Sequence, residues 1–309
     1  MATPTINPAT LFSAKGLVAV ITGGGTGLGL TMATALAQSG AQKVYILGRR
    51  ANVIENAAAN INANSPDVVV GLAADVSDLD SIKKVAAQIE KDVGFIDILI
   101  NNAGITGPDH KASHDATNIK ELQDVLLSQT EKWESCMAIN VTALANVSAV
   151  FLPLLDAGNS RRGWVSGKTE PNGAVRARNE PKDGVSKGDR RTSQIISVAS
   201  IAGFNRYVTA GLAYASSKAG AIHLGKCLAT MLAPYGIRSN VICPGLFPSE
   251  MTEGLKMEHP VNMIPAHRPG GLEEFAATLL YMVGQSGGYL NGSVQVVDGG
   301  RLSVMTSTY

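Results

Sequence analysis

A doubly wound parallel α/β sheet, folded as a single domain with surface insertions, is the architecture this sequence predicts. Three observations carry that expectation. Short apolar runs alternate with alanine-rich helical stretches, a glycine-rich turn follows the first run, and the alternation resumes after one basic, polar interruption. The runs at residues 17–21, 43–47, 68–72 and 96–100 have the continuous apolar character of strands buried on both faces. Between them, residues 28–39 and 80–92 space their apolar side chains at helical intervals. Strands near 195–198, 238–242 and 294–297, with helices around 212–234 and 272–283, continue the rhythm. Strand and helix in strict alternation place helices on both faces of a parallel sheet.

Composition supports one domain over residues 1–309. An apolar fraction of 45% and a charged fraction of 17% are ordinary for a globular chain, and 309 residues can bury a sizeable core. A net charge of +1 gives no reason to expect a nucleic acid or an anionic membrane as partner. Cys136, Cys227 and Cys243 are odd in number and far apart, so they read as buried thiols in a reducing compartment. No signal-peptide pattern opens the chain, no stretch approaches 18 uninterrupted apolar residues, and no lipidation motif closes it, so the cytoplasm is the expected location. The five histidines are scattered; His110 and His114 stand four apart, but in a loop flanked by glycine and proline. No metal is expected.

The interruption spans residues 160–191, where nine basic residues face four acidic ones for a local charge of +5. It reads as a flexible basic insertion on the surface, with recruitment of an acidic partner such as a carrier protein as the alternative. A shorter polar insertion is expected after Gly104, over residues 108–118.

The glycine-rich turn, Thr22-Gly23-Gly24-Gly25-Thr26-Gly27-Leu28-Gly29, joins the first strand to the first long helix. Glycines there permit a tight turn and close approach of a pyrophosphate, and the helix aims its first amides at the same anion. The second strand ends Leu47-Gly48-Arg49-Arg50, with no acidic residue to hold a ribose 2′-hydroxyl. Guanidinium groups suit a 2′-phosphate, so NADP is the expected cofactor, held chiefly by Arg49.

Further motifs follow in order: Asp75-Val76 after the third strand, Asn101-Asn102-Ala103-Gly104 after the fourth, Ser200-x-x-Gly203 after the fifth, Tyr214-x-x-x-Lys218 opening a helix, Pro244-Gly245 after the sixth strand, and Val297-Asp298-Gly299-Gly300 near the end. With the glycine turn they resemble the short-chain dehydrogenase/reductase family, over about residues 15–300. The stretch from Pro244 to Thr252 is similar to fungal and bacterial reductases related to 3-oxoacyl-carrier-protein reductases. The resemblance implies the Rossmann fold, a homotetramer or homodimer, and catalytic roles for Asn140, Ser200, Tyr214 and Lys218. It further implies that Lys218 holds the nicotinamide ribose and that Asn140, in a helix starting near Thr130, positions a water linked to the lysine. For the cofactor, Asp75 and Val76 are expected at the adenine, Asn102 and Ala103 at the ribose, Gly245 at the nicotinamide and Ser249 at its carboxamide.

Elementary chemistry agrees with these assignments. Residues four apart share a helix face, so Tyr214 and Lys218 point the same way. A tyrosine ionises near pH ~10, and a neighbouring lysine cation together with an oxidised nicotinamide is expected to lower that value. Tyr214 is then the acid in carbonyl reduction, and Ser200 stabilises the charge developing on the carbonyl oxygen. Phe204, Tyr207, Leu246, Phe247, Met251, Leu255 and Met257 are expected to wall the cleft, which points to an apolar small-molecule carbonyl substrate. A 3-oxoacyl thioester, a polyol precursor and a secondary-metabolite ketone all fit. A non-redox enzyme and a nucleotide-sensing binding protein on the same scaffold are the competing functions.

Overall fold

A computed structural model describes residues 6–170, 173, 175–182, 184–252, 254 and 258–308. Seven parallel strands form one sheet in the order β3-β2-β1-β4-β5-β6-β7. They are β1 Val18–Thr22, β2 Lys43–Gly48, β3 Val69–Ala73, β4 Ile98–Asn101, β5 Gln194–Val198, β6 Arg238–Pro244 and β7 Val294–Val297. The helices are α1 Pro8–Leu11, α2 Gly27–Gln38, α3 Ala51–Asn62, α4 Leu79–Asp92, α5 Ile119–Leu126, α6 Glu131–Met137, α7 Ala143–Arg161, α8 Leu212–Leu232, α9 Leu272–Val283 and α10 Arg301–Val304. The order reverses between β1 and β4, so the loops leaving these two strands diverge and open a crevice at their carboxyl ends.

Alternation along β1 explains why helices cover both faces. Ala19 and Ile21 enter a core with Met32 and Leu36 of α2, Ile54 of α3 and Phe275 and Leu279 of α9. Val18 and Val20 enter the opposite core with Ile82 and Ile89 of α4 and Phe151 and Leu155 of α7. Successive strand side chains point to opposite faces, so a strand buried on both must be apolar throughout. The helical run over residues 130–161 is long and apolar enough to cross a membrane by length and composition, although it lacks 18 uninterrupted apolar residues. Its apolar face is taken up by this second core, where Val147, Phe151, Leu154 and Leu155 are buried. Of the cysteines, Cys136 and Cys243 are buried as expected, but Cys227 is exposed on α8.

The basic segment after α7 departs from a loose surface insertion at both its ends. Arg162, 2% exposed, donates to Asp97 at 2.9 Å and pairs with Asp189, which Arg191 also holds at 2.7 Å. Arg191 reaches on to the Val283 carbonyl at 3.0 Å, and Asp97 accepts the Val18 amide at 2.8 Å. Both ends are thereby fastened to the amino-terminal edge of the sheet. Arg178 donates to the carbonyls of Arg162, Lys187 and Asp189, and Arg176 to those of Val165, Gly167 and Pro234. Much of the segment's positive charge is therefore engaged by acceptors of the protein itself.

Burial opposes ionisation of Asp189, but hydrogen bonds from Arg191 and the charges of Arg162 and Arg191 outweigh it and hold the carboxyl well below its usual range. A carboxylate depressed on folding contributes stability above the unfolded value of about 3.9 and loses it as pH falls below that. Urea titrations over this acid range are expected to show stability falling with pH, with a weaker dependence in Asp189→Asn. Arg162→Met leaves two buried carboxylates without their shared partner and is expected to cost about 3–5 kcal/mol at neutral pH. A thermal midpoint unchanged in Arg162→Met would contradict the anchoring role.

Candidate active site

The crevice at the β1/β4 divergence is a cleft of about 700 Å³. Its floor is built by reciprocal hydrogen bonds between two strand ends. Thr22 Oγ1 accepts the amides of Asn102 and Ala103, each at 3.0 Å. The Asn102 carboxamide donates back to the carbonyls of Thr22 and Gly23, also at 3.0 Å. Gly29 follows because α2 packs directly on this turn: a methyl there would overlap the Gly23 carbonyl oxygen. Gly23 and Gly27 take positive φ values of 65° and 52°. The cap of α2, Thr26, makes no side-chain capping bond and no acidic residue occupies the first turn, so its leading amides lack an intrahelical or side-chain partner.

Every residue expected at the cofactor lines this one cleft: Gly23, Gly25, Thr26, Gly27, Leu28, Gly29, Arg49, Arg50, Asp75, Val76, Asn102, Ala103, Gly104, Tyr214, Lys218, Pro244, Gly245 and Ser249. Their individual environments differ from simple expectation in two places. Arg50 is engaged by Glu250 at 3.1 Å across the cleft mouth, and Glu250 also accepts from Thr26. Arg49 is exposed on the rim. Nearby, hydrogen bonds from Ser77 hold the Asp75 carboxyl below its usual range, with the charge of Arg49 adding to the effect. Ser249 packs against the phosphate turn, its amide donating to Thr252 Oγ1 at 2.8 Å.

At the other end of the cleft, Ser200 terminates the strand-to-turn junction after β5, and its Oγ caps that turn by accepting the Ala202 amide at 3.1 Å. Gly203 lets α8 press close, since a methyl there would come within 2.8 Å of the α8 backbone at Ala219. That approach brings Tyr214 into the same cleft as Ser200, whose hydroxyl favours the ionised phenol. Lys218 is 5% exposed, donates to the Val198 carbonyl at 3.0 Å and stands 5.7 Å from the centre of the Tyr214 ring.

The expected lowering of the tyrosine pKa by this lysine is not found. Burial raises Tyr214 above its ordinary value, and only the Ser200 hydrogen bond acts in the opposite sense. The ammonium lies over the ring, and burial pushes Lys218 itself down to about 8. Tyr214 is therefore protonated at neutral pH.

Asn140 lies behind the cleft, 2% exposed, in a π-helical turn over Ala138–Thr142 between α6 and α7. Sequence spacing gave no sign of this widened turn, which rotates the carboxamide inward. Its Oδ1 accepts the Ile105 amide and its Nδ2 donates to the Ile105 carbonyl and Ser217 Oγ, all at 2.9 Å. The side chain thus braces the loop after β4, and any link to Lys218 runs through other atoms.

Of the expected substrate walls, Phe247 and Met251 line the cleft, joined by Ile105, Ile139 and Thr252. Phe247 is largely core, packed edge-on against Phe275 at 5.4 Å. Phe204 joins the α8–β6 core, and Tyr207 stacks on His114 at 4.2 Å. Leu246 is not among the lining residues, and Leu255 and Met257 lie outside the described residues. Among the described residues, no group of three or more His, Cys, Asp or Glu is placed to hold a metal.

Residues 17–165 match the family described as short chain dehydrogenase, and residues 182–301 match that described as enoyl-(acyl carrier protein) reductase. The short-chain dehydrogenase/reductase PhomF of Diaporthe leptostromiformis is 37% identical over 99% of this chain and 98% of its own length. The chain is a short-chain dehydrogenase/reductase. This family member is also 29% identical to the rhamnolipids biosynthesis 3-oxoacyl-[acyl-carrier-protein] reductase of Pseudomonas aeruginosa, over 94% of this chain and 97% of that one. Among solved structures, the Pseudomonas aeruginosa RhlG/NADP active-site complex superposes with a TM-score of 0.74 at 28% identity, covering 94% of this chain and 98% of that one. A short-chain type dehydrogenase/reductase from Mycobacterium marinum gives 0.71 at 27% identity, covering 94% and 98%.

The two shifted groups give a pH expectation for this oxidoreductase. Burial pushes Lys218 down to about 8 and Tyr214 up, so kcat/KM of the enzyme is expected to fall as pH rises through about 8. A profile flat between about pH 7 and 9 would show that the charge on Lys218 is not required.

Proposed function

We propose that this oxidoreductase is an NADPH-dependent carbonyl reductase acting on a small, apolar ketone, with Tyr214 as proton donor. The observation that carries the reading is a single cleft lined by a glycine turn and Arg49 and also by Ser200, Tyr214 and Lys218. The glycine cradle fits a dinucleotide: positive φ at Gly23 and Gly27 and the uncapped start of α2 leave backbone amides for a pyrophosphate. Gly23, Gly25, Thr26, Gly27, Leu28 and Gly29 would hold the pyrophosphate, Arg49 the 2′-phosphate, and Lys218 the nicotinamide ribose. Bound NADPH would supply the hydride.

The protein's own groups do the remainder. Ser200 and Tyr214 both donate to the carbonyl oxygen and so favour the negative charge that builds there as the carbon is reduced. The raised pKa of Tyr214 keeps its proton in place until that oxygen becomes basic enough to take it. Ile105, Ile139 and Met251 add apolar side chains to the lining of the cleft, which favours a substrate with little polarity beyond its reacting carbonyl. The similar rhamnolipids biosynthesis enzyme is, by its name, a 3-oxoacyl-[acyl-carrier-protein] reductase, a reaction of this chemical kind. In the same reading the enzyme works in the cytoplasm as a homodimer or homotetramer.

Fluorescence titration with NADPH and NADH, followed by reduced-nicotinamide absorbance against a ketone panel, tests the proposal directly. Tyr214→Phe is expected to lower kcat by about 10²–10⁴-fold and to leave NADPH binding little changed. Equal turnover in that variant would remove the proton donor from the mechanism. Arg49→Ala is expected to weaken NADPH binding by about 10–100-fold and NADH binding hardly at all, as the loss of one charge-assisted contact requires. Tighter binding of NADH than NADPH by the unaltered protein would overturn the cofactor assignment.

A further inference from the structure

We propose that His110 is a positioning residue for Tyr214, acting as the missing cap of helix α8; the inference rests on the assignment of Tyr214 as proton donor. The helix begins at Leu212, only two residues before Tyr214, and its cap residue is Gly211, which has no side chain to bond the first-turn amides. A helix start needs such acceptors, usually from Ser, Thr, Asp or Asn at the cap. Here the acceptor comes from 102 residues away: His110 Nδ1 takes the Leu212 amide at 3.2 Å.

The route of the chain explains how it arrives. After Gly104 the loop passes between α6 and the first turn of α8. Asn140 clamps both backbone groups of Ile105. At Gly107 an added methyl would meet Ala213 Cβ at 2.8 Å and Cys136 Cβ at 3.3 Å. At Gly211, with φ of 90°, it would overlap the Pro108 carbonyl. Glycines on both sides of the contact thus allow loop and helix to touch. His110 is 1% exposed, its ring 6.2 Å from that of Trp133 on α6.

The ring's second nitrogen sharpens the assignment. Because Nδ1 accepts, the proton of the neutral imidazole resides on Nε2, which is buried without a hydrogen-bond partner among the described residues. A buried polar group left unmet is unfavourable, so a residue serving only to fill this space would be apolar. Among the described residues, the one hydrogen bond the ring makes is the one to α8. Lys218 lies a full turn deeper and has its own anchor at the Val198 carbonyl. Loosening the first turn therefore displaces the tyrosine hydroxyl more than the lysine or the glycine cradle.

The test compares unaltered protein, His110→Ala and His110→Asn, the last placing Oδ1 near the position of Nδ1. Each is assayed for NADPH binding, for turnover of a ketone that the unaltered enzyme reduces, and for amide exchange over residues 212–216. His110→Ala is expected to lower kcat about five- to thirty-fold with NADPH affinity retained, and to speed exchange in that segment. His110→Asn is expected to restore most of both and, if the alanine variant does not fold, to preserve activity without the imidazole. Unaltered kcat and exchange in His110→Ala, or an asparagine variant no better than alanine, would overturn the proposal. If the unaltered protein reduces no ketone, the reductase reading falls by itself, and the exchange rates still decide the role of His110.

Discussion

The junction between Thr22 and Asn102 is the interaction on which the site depends. Parallel strands whose connections diverge leave two loop ends without neighbours, and their backbone groups must find partners or water. Thr22 and Asn102 satisfy them mutually, with four hydrogen bonds of 3.0 Å. This fixes the glycine turn relative to the loop after β4, and hence the phosphate end of the cleft relative to its floor. It also makes Asn102 primarily a structural brace. Its carboxamide nitrogen is occupied by two backbone carbonyls.

From that junction a second chain of contacts runs to the reacting end. The loop leaving Gly104 is gripped at Ile105 by Asn140, whose inward aim depends on the π-helical turn. Asn140 then holds Ser217, and Ser217 Oγ bonds the Tyr214 carbonyl at 2.8 Å. Three segments distant in sequence are locked by short polar contacts in a buried setting, where such bonds are strong and their loss costly. Tyr214 is consequently held from below by Ser217, from the side by Ser200 and from its helix start by His110.

What the sequence made legible follows from locality. Apolar runs located all seven strands to within about two residues, because a strand buried on both faces leaves a continuous apolar signature. The glycine turn and the motifs holding Ser200, Tyr214 and Lys218, which carried the family resemblance, stand out in the sequence because each is local, at a strand end or within one helix turn, and the fold gathers them in one cleft. The features that escaped are long-range pairings. Glu250 meets Arg50 across 200 residues, Leu212 meets His110 across 102, and Arg162 meets Asp97 across 65. Nothing in the composition near any of these residues marks its partner. The burial of the tyrosine and lysine escaped for a related reason: a helical spacing of four fixes which face a lysine shares, but not how far burial opposes its charge.

Charge is used differently at the two ends of the sheet. At the amino-terminal edge, Asp97, Arg162, Asp189 and Arg191 are buried and mutually bonded, a fixed arrangement that tolerates no loss of a member. This end lies a full strand length from the cleft, roughly 16 Å for five residues, and none of the segment's described residues lines the cleft. At the carboxyl edge, Arg50 and Glu250 are each 59% exposed by side chain. An exposed pair of this kind is worth about 0–1 kcal/mol. A competing anion can therefore take an arginine from it at little cost, whereas no ligand could draw Arg162 from its buried carboxylates. The buried ion pairs thus stand at the amino-terminal edge of the sheet, and the exposed pair stands at the mouth of the cleft, where a ligand can compete for it.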